Sequence, residues 1–125
     1  MSGIVFDTSA LIALERQARE IVVLVAEARR AHDVITVPAA CVAQAWRAPA
    51  RQARLAAFLR LPNVDITALD DAEARRIGLL LAGTRAKDVV DAHVAICAHR
   101  LNQVVLTSDP DDIARLSPSV RTRLV

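Results

Sequence analysis

Short apolar runs alternate with longer amphipathic segments along the 125 residues of the chain. Runs such as 4–6 and 104–106 contain no polar position, which is typical of strands buried on both faces of a parallel sheet. Segments such as 19–30 repeat apolar residues at helical spacing and predict helices between the strands. The predicted strands are 4–6, 34–37, 64–66, 104–106 and 122–125. The predicted helices, counted with their caps, are 7–14, 19–30, 39–47, 51–60, 70–81, 88–100 and 112–116.

This alternation of strands and helices predicts an α/β fold. Right-handed crossovers would place helices on both faces of a mainly parallel, twisted sheet of four or five strands, in three α/β/α layers. Pro49 is expected to interrupt the helical pattern, and Gly83 is expected to stop the helix that Asp70 caps. Because no linker, repeat or low-complexity tract divides the chain, we expect residues 1–125 to form one domain.

Composition matters here mainly for what it excludes. The chain is 54% apolar with 3 Gly, which argues for a compact globule and against disorder or a fibre. Cys41 and Cys97 lack the spacing of a metal motif and are expected to be reduced packing residues. Residues 1–7 do not resemble a signal peptide, and no apolar run approaches the roughly 20 residues that cross a bilayer. We therefore expect a cytoplasmic protein with no membrane contact.

Aspartates follow the predicted strands and begin the predicted helices. Asp7 comes directly after the first strand, and Asp109 comes three residues after Leu106. Both are expected at the carboxyl edge of the sheet, where open α/β sheets bind ligands. Asp88 and Asp91 are spaced i,i+3 and share a helix face. Asp91 also lies in an otherwise apolar segment, where an unpaired carboxylate is costly.

Each of these carboxylates also has a structural explanation. Asp7 and Asp88 could serve only as helix caps, Asp109 could be a turn residue, Asp91 could be a solvated acid, and Asp112 could cap the last helix. Their convergence on one edge nevertheless predicts a cation site, because neighbouring carboxylates repel one another unless a cation neutralises them. Oxygen ligands favour Mg²⁺ or Mn²⁺ over Zn²⁺. Such a site can activate water for phosphodiester hydrolysis, although the acids alone do not identify the substrate.

Positive charge is distributed unevenly behind a net charge of only +2. Residues 34–64 contain no Asp or Glu but include Arg47, Arg51 and Arg54. Their i, i+4, i+7 spacing would align them on one helix if that helix tolerates Pro49. We interpret this stripe as an RNA-binding rim that contacts phosphates beside the acids, with a solvated helical face as the alternative. The scarcity of aromatic residues argues against a base-stacking platform.

The histidines do not suggest a competing metal site. His93 and His99 are six residues apart and would face different sides of one helix. We expect both, together with His32, to have structural or surface roles. No P-loop, dinucleotide-binding or serine-hydrolase motif is present.

Three segments together resemble the PIN-domain ribonucleases, specifically the VapC-type toxins of toxin–antitoxin pairs. They are IVFDTSAL at 4–11, DVVDAHVA at 88–95 and VLTSDPDDI at 105–113. The resemblance covers almost the whole chain and implies a PIN-like fold with a twisted parallel sheet flanked by helices. It also implies Mg²⁺- or Mn²⁺-dependent endoribonuclease activity, inhibition by a small VapB-type antitoxin, and a homodimer.

The resemblance implies site residues position by position. The acids that correspond to the family's metal ligands are Asp7, Asp91 and Asp109. The catalytic set that we predict is Asp7, Asp88, Asp91 and Asp109, and the metal set adds Asp112. The polar residues predicted to support the site are Ser9, Gln44 and Thr107.

The chain departs from the family pattern at one position. The family usually has a Glu in the helix after the second strand, and the matching position here is Gln44. A neutral amide can ligate through its oxygen or hold a metal-bound water, but it adds no negative charge and accepts no proton. Metal affinity could then be weaker, Asp88 could supply the missing charge, or activity could be lost.

Two functional hypotheses follow. The first is an endoribonuclease toxin that hydrolyses RNA with metal-activated water and is inhibited by a cognate antitoxin. The alternative is a catalytically weak or inactive PIN-like module that binds RNA or the antitoxin. A phosphatase of the haloacid-dehalogenase type is disfavoured, because Ser9 stands where its second aspartate would be needed.

Overall fold

Five parallel strands form one sheet in the computed structural model, which describes residues 3–125. The strands are β1 (Gly3–Phe6), β2 (Val34–Pro38), β3 (Val64–Thr67), β4 (Val104–Thr107) and β5 (Thr122–Leu124). Their order across the sheet is β3-β2-β1-β4-β5, and every neighbouring pair is parallel. The prediction of a parallel sheet in an α/β fold is confirmed.

The helices lie in the connections between these strands. Those of the described residues are α1 (Thr8–Glu15), α2 (Arg19–Ala31), α3 (Ala39–Ala45), α4 (Ala53–Leu59), α5 (Asp71–Thr84), α6 (Val89–Leu101) and α7 (Pro110–Leu116). Helix α1 contacts α2, α3 and α4, whereas α6 contacts α5 and α7. Helix α3 touches both α1 and α6, so it bridges the two groups. Within residues 3–125, no helix combines the length and the apolar character needed to cross a membrane.

The core lies along the central strands, as their continuous apolar runs predict. Val5 and Phe6 of β1 are fully buried, as is Val105 of β4. Phe6 stacks on Phe58 of α4 with ring centroids 5.4 Å apart. A buried Phe typically contributes about 2 to 3 kcal/mol of apolar stabilisation, so this pair is a main contact between the sheet and α4.

Both cysteines are free and buried, in agreement with their predicted packing role. Burial is the main reason why the pKa of Cys41 rises to about 12 and that of Cys97 to about 11. Both side chains are therefore neutral thiols at ordinary pH.

The region around Pro49 differs from the prediction. Helix α3 ends at Ala45, a 3₁₀ turn covers Pro49–Arg51, and α4 begins only at Ala53. Proline fixes its own φ and has no N–H to donate, so it starts a new turn instead of continuing a helix. The expected helices 39–47 and 51–60 are therefore too long.

Two other predicted helix ends are also wrong. Helix α5 continues through Gly83 to Thr84, and Arg85, at φ 57°, takes the left-handed position that ends it. An exposed glycine costs a helix about 1 kcal/mol but does not terminate it. Helix α7 begins at Pro110, since proline suits the first turn. Asp112 lies inside that turn and is not the cap.

The strand order places the carboxyl ends of β1 and β4 side by side at the centre of the sheet. The chain adds β2 and β3 on one side of β1 and then returns to place β4 and β5 on the other. The gap between β1 and β4 is therefore the topological switch point, the usual ligand position in open α/β sheets. Phe6 pairs with Leu106, so Asp7 and Thr107 leave the sheet next to each other.

A buried ion-pair network joins α5 to α6. Glu73 is 2% exposed and accepts two hydrogen bonds from Arg100, each of 2.9 Å, and one of 3.2 Å from Arg76. The hydrogen bonds from Arg100 are the largest reason why the pKa of Glu73 falls to about 2. Burial lowers the pKa of His93. The neutral ring donates from Nε2 to Glu73 over 3.1 Å and accepts at Nδ1 from the Ala40 N–H.

Replacing Glu73 by Gln should show how much of the stability that this network contributes depends on pH. Its lowered pKa means that the ion pairs stabilise the fold fully above about pH 5 and lose this effect as the pH falls towards 2. We expect Glu73→Gln to lower the free energy of unfolding by about 3 kcal/mol near neutral pH, and by much less at about pH 2.5. Urea unfolding across this range measures the difference.

Asp71→Asn is the matched control, because the Asp71–Arg75 ion pair is exposed at both partners. Exposed pairs contribute little, so this variant should unfold like the wild type at every pH. A loss of stability in Glu73→Gln that does not change with pH would contradict the assignment.

Candidate functional site

Asp7 follows β1 and caps α1. Its side chain is buried, and Oδ1 accepts hydrogen bonds from the backbone N–H of Ala10, over 3.1 Å, and from the hydroxyl of Ser9. Ser9 in turn accepts from the Ser108 N–H over 2.9 Å, which ties the β1–α1 turn to the β4–α7 turn. The structural explanation of Asp7 as a cap is thus correct but incomplete. Among the described residues these bonds use only Oδ1, which leaves Oδ2 for a ligand.

Asp88 and Asp91 lie at the start of α6. Asp88 caps the helix by accepting the Asp91 N–H over 2.9 Å, so its capping explanation also holds. Asp91 is partly buried in the first turn, and its pKa rises to about 6. Burial is the largest cause of that rise, followed by the negative charges of Asp88, Asp112, Asp7 and Asp109. The structure therefore brings the other four predicted acids within electrostatic reach of Asp91.

The turn after β4 positions Asp109. Thr107 is fully buried, and its hydroxyl accepts the Asp109 N–H over 2.9 Å. The Ser108 hydroxyl donates to the Asp109 carboxylate over 3.2 Å. Asp109 itself is exposed at the start of α7, and Asp112, one turn further on, pairs with Arg115 at 3.1 Å. The turn therefore presents the Asp109 carboxylate to solvent beside Asp7.

Gln44 lies on α3 at the rim of this group. Its Oε1 accepts a 2.6 Å hydrogen bond from the hydroxyl of Thr8, the residue after Asp7. The side chain is exposed, so the amide keeps its hydration. It has no charged hydrogen-bond partner among the described residues. The structure thus links Gln44 to the residue after Asp7, and Gln44 brings no charge of its own to this rim.

The aspartates do not form a closed cage. Among the described residues, the three ligand atoms that lie within 4.8 Å of one another belong to Glu73, His93 and Cys97. That group already has its cation, because the Arg100 guanidinium is 2.9 Å from Glu73 and 4.0 Å from the Cys97 sulfur. The aspartates instead form an open set of oxygen donors with excess negative charge. This donor chemistry fits a hard divalent cation that keeps some of its water.

The three predicted RNA-binding arginines surround the 3₁₀ turn but do not form a stripe on one helix. Arg47 donates to the carbonyls of Ala43 and Trp46 over 2.7 and 2.8 Å. Arg54, on α4, donates to the Glu15 carbonyl over 3.4 Å. Arg51 is exposed in the turn itself. The single-helix stripe is wrong because Pro49 breaks the helix, and the cations lie instead on a loop and the helix that follows it.

Sequence reasoning missed Glu73 as the partner of His93 and missed the buried Gln52. Glu73 and His93 are 20 residues apart, and nothing in either segment marks the pairing. Gln52 lies in a stretch that the helical pattern assigned to a continuous helix. The one available signal was the i,i+4 spacing of His93 and Cys97 on α6, which places both on one face.

The sequence model of the PIN domain matches residues 4–117. The chain therefore belongs to the PIN-domain family. PIN domains are generally nucleases, and PIN nucleases typically use divalent metals.

Three solved structures share the fold at low identity. VapBC2 from Rickettsia felis, bound to a DNA fragment from its promoter, is 13% identical with a TM-score of 0.72, covering 98% of both chains. FitAB bound to an IR36 DNA fragment is 12% identical with a TM-score of 0.63, covering 97% of this chain and 94% of the other. A domain of unknown function from Methanocaldococcus jannaschii is 16% identical with a TM-score of 0.56, covering 100% and 91%. Curated protein sequences gave no match.

Replacing Asp91 by Asn should stabilise the metal-free protein. Because the pKa of Asp91 is raised from 3.8 to about 6, the folded state holds its proton more tightly than the unfolded chain does. The fold is therefore favoured at low pH and loses stability as the pH rises through 6. Near neutral pH, Asp91→Asn should raise the free energy of unfolding by about 1 to 2 kcal/mol.

The stabilisation should disappear below about pH 4, where wild-type Asp91 is itself neutral. Urea unfolding in the presence of a chelator measures both values. If Asp91→Asn instead destabilised the protein near neutral pH, the fold would be stabilising the ionised Asp91 carboxylate. That result would contradict the conclusion that burial and neighbouring negative charges disfavour it.

Proposed function

We propose that the protein is a VapC-type endoribonuclease toxin that hydrolyses RNA phosphodiester bonds with the help of Mg²⁺ or Mn²⁺. The observation that supports this most is the convergence of aspartates at the switch point of a PIN fold, where burial and then the neighbouring carboxylates raise the pKa of Asp91. A structural cluster would normally contain its own cations, as the cluster around Glu73 does, whereas among the described residues of this cluster only Asp112 forms an ion pair, with Arg115. Family membership supports nuclease chemistry in general.

The residues proposed to hold the cation are those with unused or exposed carboxylate oxygens. Asp7, Asp91 and Asp109 are the proposed ligands, while Asp88 and Asp112 would support them with charge. When bound, a divalent cation would neutralise these acids, lower the pKa of a water and polarise the scissile phosphate. Repulsion among the carboxylates disfavours the ion-free site, so binding should relieve strain that the fold already carries.

The remaining residues of the site have positioning roles in this proposal. The Ser9–Ser108 and Thr107–Asp109 hydrogen bonds hold the two turns that carry Asp7 and Asp109. Gln44, fixed by Thr8, would orient a water or an RNA oxygen at the rim. Preorganisation of this kind lets the acids meet the cation without rearranging the chain.

The RNA backbone is proposed to lie along the 3₁₀ turn. Arg51 is exposed there, and the Arg47 and Arg54 side chains are exposed beside it. Arginine forms paired hydrogen bonds with phosphate oxygens, which suits an RNA backbone of any sequence. The guanidinium groups of Arg47 and Arg54 already donate hydrogen bonds to backbone carbonyls. We therefore expect Arg51 to contribute most to RNA affinity.

A small VapB-type antitoxin is proposed as the partner, and a homodimer as the assembly. The likeness of this fold to VapBC2 and FitAB supports the first proposal. The second comes from the resemblance to VapC-type toxins.

Gln44 favours one alternative, a weak or inactive module that binds RNA or the antitoxin. The amide gives the rim no negative charge and accepts no proton. This alternative predicts RNA binding that persists when the metal is removed.

Cleavage of RNA by the purified protein tests the main proposal. We expect cleavage with Mn²⁺ or Mg²⁺, none with EDTA, and a loss of about 100-fold in Asp91→Asn, equivalent to about 3 kcal/mol of transition-state stabilisation. Asp111→Asn is the matched control, because Asp111 is exposed on α7 but is not among the charges that raise the pKa of Asp91. Cleavage that is undiminished in Asp91→Asn, or that persists in EDTA, would overturn the proposal.

Restoring the family's acid should strengthen metal binding. Gln44→Glu adds a carboxylate beside Thr8 at the rim, and we expect a Mn²⁺ Kd about tenfold lower, equivalent to about 1.4 kcal/mol. Titration calorimetry measures the affinity. Gln17→Glu adds the same charge at an exposed position past the other end of α1 and should leave the Kd unchanged. Unchanged Mn²⁺ affinity in Gln44→Glu would remove Gln44 from the proposed site.

A further inference from the structure

Gln52 is buried inside the loop between α3 and α4, with 7% of its surface exposed. Its Oε1 accepts the backbone N–H groups of Arg47 and Ala48 over 2.8 and 2.9 Å. Its Nε2 donates to the Ala45 carbonyl over 2.8 Å and to the Glu15 carboxylate over 2.7 Å. All four hydrogen-bonding positions of the amide are therefore used, and every distance is short.

Three of these bonds are made to backbone groups of the stretch between Ala45 and Ala53, where the chain has lost its helical hydrogen bonds. The backbone N–H groups of Arg47 and Ala48 lie past the end of α3, so neither has a helical carbonyl as its hydrogen-bond acceptor. Without the amide of Gln52 they would need water or would remain unsatisfied at a cost of about 1 to 3 kcal/mol each. One side chain thus fixes the path of the loop.

The bond to Glu15 fastens this loop to α1, the helix that begins beside Asp7. Thr8 and Glu15 are the first and last residues of α1. Seven residues at about 1.5 Å per residue separate them by roughly 10 Å along the helix axis. The loop is therefore held at a set distance from the aspartates, along the side of α1 that faces α3.

We propose that Gln52 is a positioning residue for RNA binding, because it holds the backbone that carries Arg47 and Arg51 at a fixed distance from the acidic site. This inference rests on the proposed function, since it takes RNA as the ligand of these arginines. Gln52 itself touches no substrate. Its role is to keep the two guanidinium groups where a bound RNA strand passes from the aspartates along α1.

The amide suits this role better than other side chains of similar size. Leucine fills the space but leaves the Arg47 and Ala48 N–H groups without an acceptor. Glutamate keeps both acceptor contacts but offers no donor, and it places a second carboxylate against Glu15. Gln52→Leu therefore removes every hydrogen bond of the amide. Gln52→Glu keeps the contacts to the Arg47 and Ala48 N–H groups and loses the donor bonds, including the one to Glu15 on α1.

The first measurement is limited trypsin digestion of the native protein, with cleavage after Arg47 and Arg51 followed by mass spectrometry. Cleavage in a folded protein requires local opening, and its rate reports the population of the open loop. We expect Gln52→Leu to be cut about tenfold faster at these two sites, and Gln52→Glu to fall between it and wild type. The double variant Gln52→Glu/Glu15→Gln regains a donor opposite the new carboxylate and should recover much of the wild-type resistance.

The second measurement is the steady-state kinetics of RNA cleavage with saturating Mn²⁺. A loop that no longer presents Arg47 and Arg51 weakens RNA binding without touching the aspartates. We expect Gln52→Leu to raise KM about fivefold while kcat changes by less than about twofold, with partial recovery in the double variant. Gln103→Leu is the control, because it removes the Gln103–Thr36 hydrogen bond at the other edge of the sheet. It should change neither KM nor the two trypsin sites.

The outcomes separate this inference from the proposed function. If the wild type neither cleaves nor binds RNA, the proposed function fails, and the role of Gln52 in RNA binding fails with it. If the wild type cleaves RNA and Gln52→Leu opens the loop with KM unchanged, only the inference about Gln52 is overturned. A fall in kcat at unchanged KM would likewise overturn it. Faster trypsin cleavage together with a raised KM, both recovered in the double variant, is the result that we expect.

Discussion

Carboxylates converge at one edge of the sheet, where burial and mutual repulsion disfavour their charged forms. The order β3-β2-β1-β4-β5 brings the ends of β1 and β4 together, so Asp7 and Asp109 meet there, and α6 adds Asp88 and Asp91. The pKa of Asp91 rises to about 6 because of its burial and, after that, because of the negative charges of the neighbouring carboxylates. If these aspartates served only the stability of the fold, we would expect arginine or lysine side chains to neutralise them. Among the described residues, Arg115 pairs with Asp112, but Asp7, Asp91 and Asp109 form no ion pair, and the side chains beside them hold the turns.

Stability therefore has to come from elsewhere in the fold. The buried central strands supply most of it through apolar burial, and Phe6 stacked on Phe58 connects the sheet to α4. On the other side, Glu73 joins α5 to α6 by its bonds to Arg100 and His93. The two acid clusters behave oppositely: Glu73 is compensated and has a lowered pKa, whereas Asp91 is not and has a raised one. This division of roles fits a domain that keeps a destabilised site for a ligand.

The sequence predicted what local pattern and topology determine. All five strands were predicted, β1 and β4 from continuous apolar runs and β2 from its β-branched residues. The aspartates that follow β1 and β4 indicated a candidate site at the edge where these parallel strands end. Side-chain pairs between distant segments were not predictable: Glu73 and His93 are 20 residues apart, and Glu15 and Gln52 are 37 apart. The predicted helix ends were wrong where a single residue decides whether a helix stops or continues, as at Pro49 and Gly83. The arginine stripe failed for the same reason, since it assumed a continuous helix.

The position of a bound divalent cation would show whether the aspartates form a metal site. Crystals of the protein grown with Mn²⁺ would locate the ion through its anomalous scattering, independently of any activity. We expect an anomalous peak bounded by the carboxylates of Asp7, Asp91 and Asp109. A peak at Glu73, His93 and Cys97 instead, or no peak beside the aspartates at saturating Mn²⁺, would contradict this expectation.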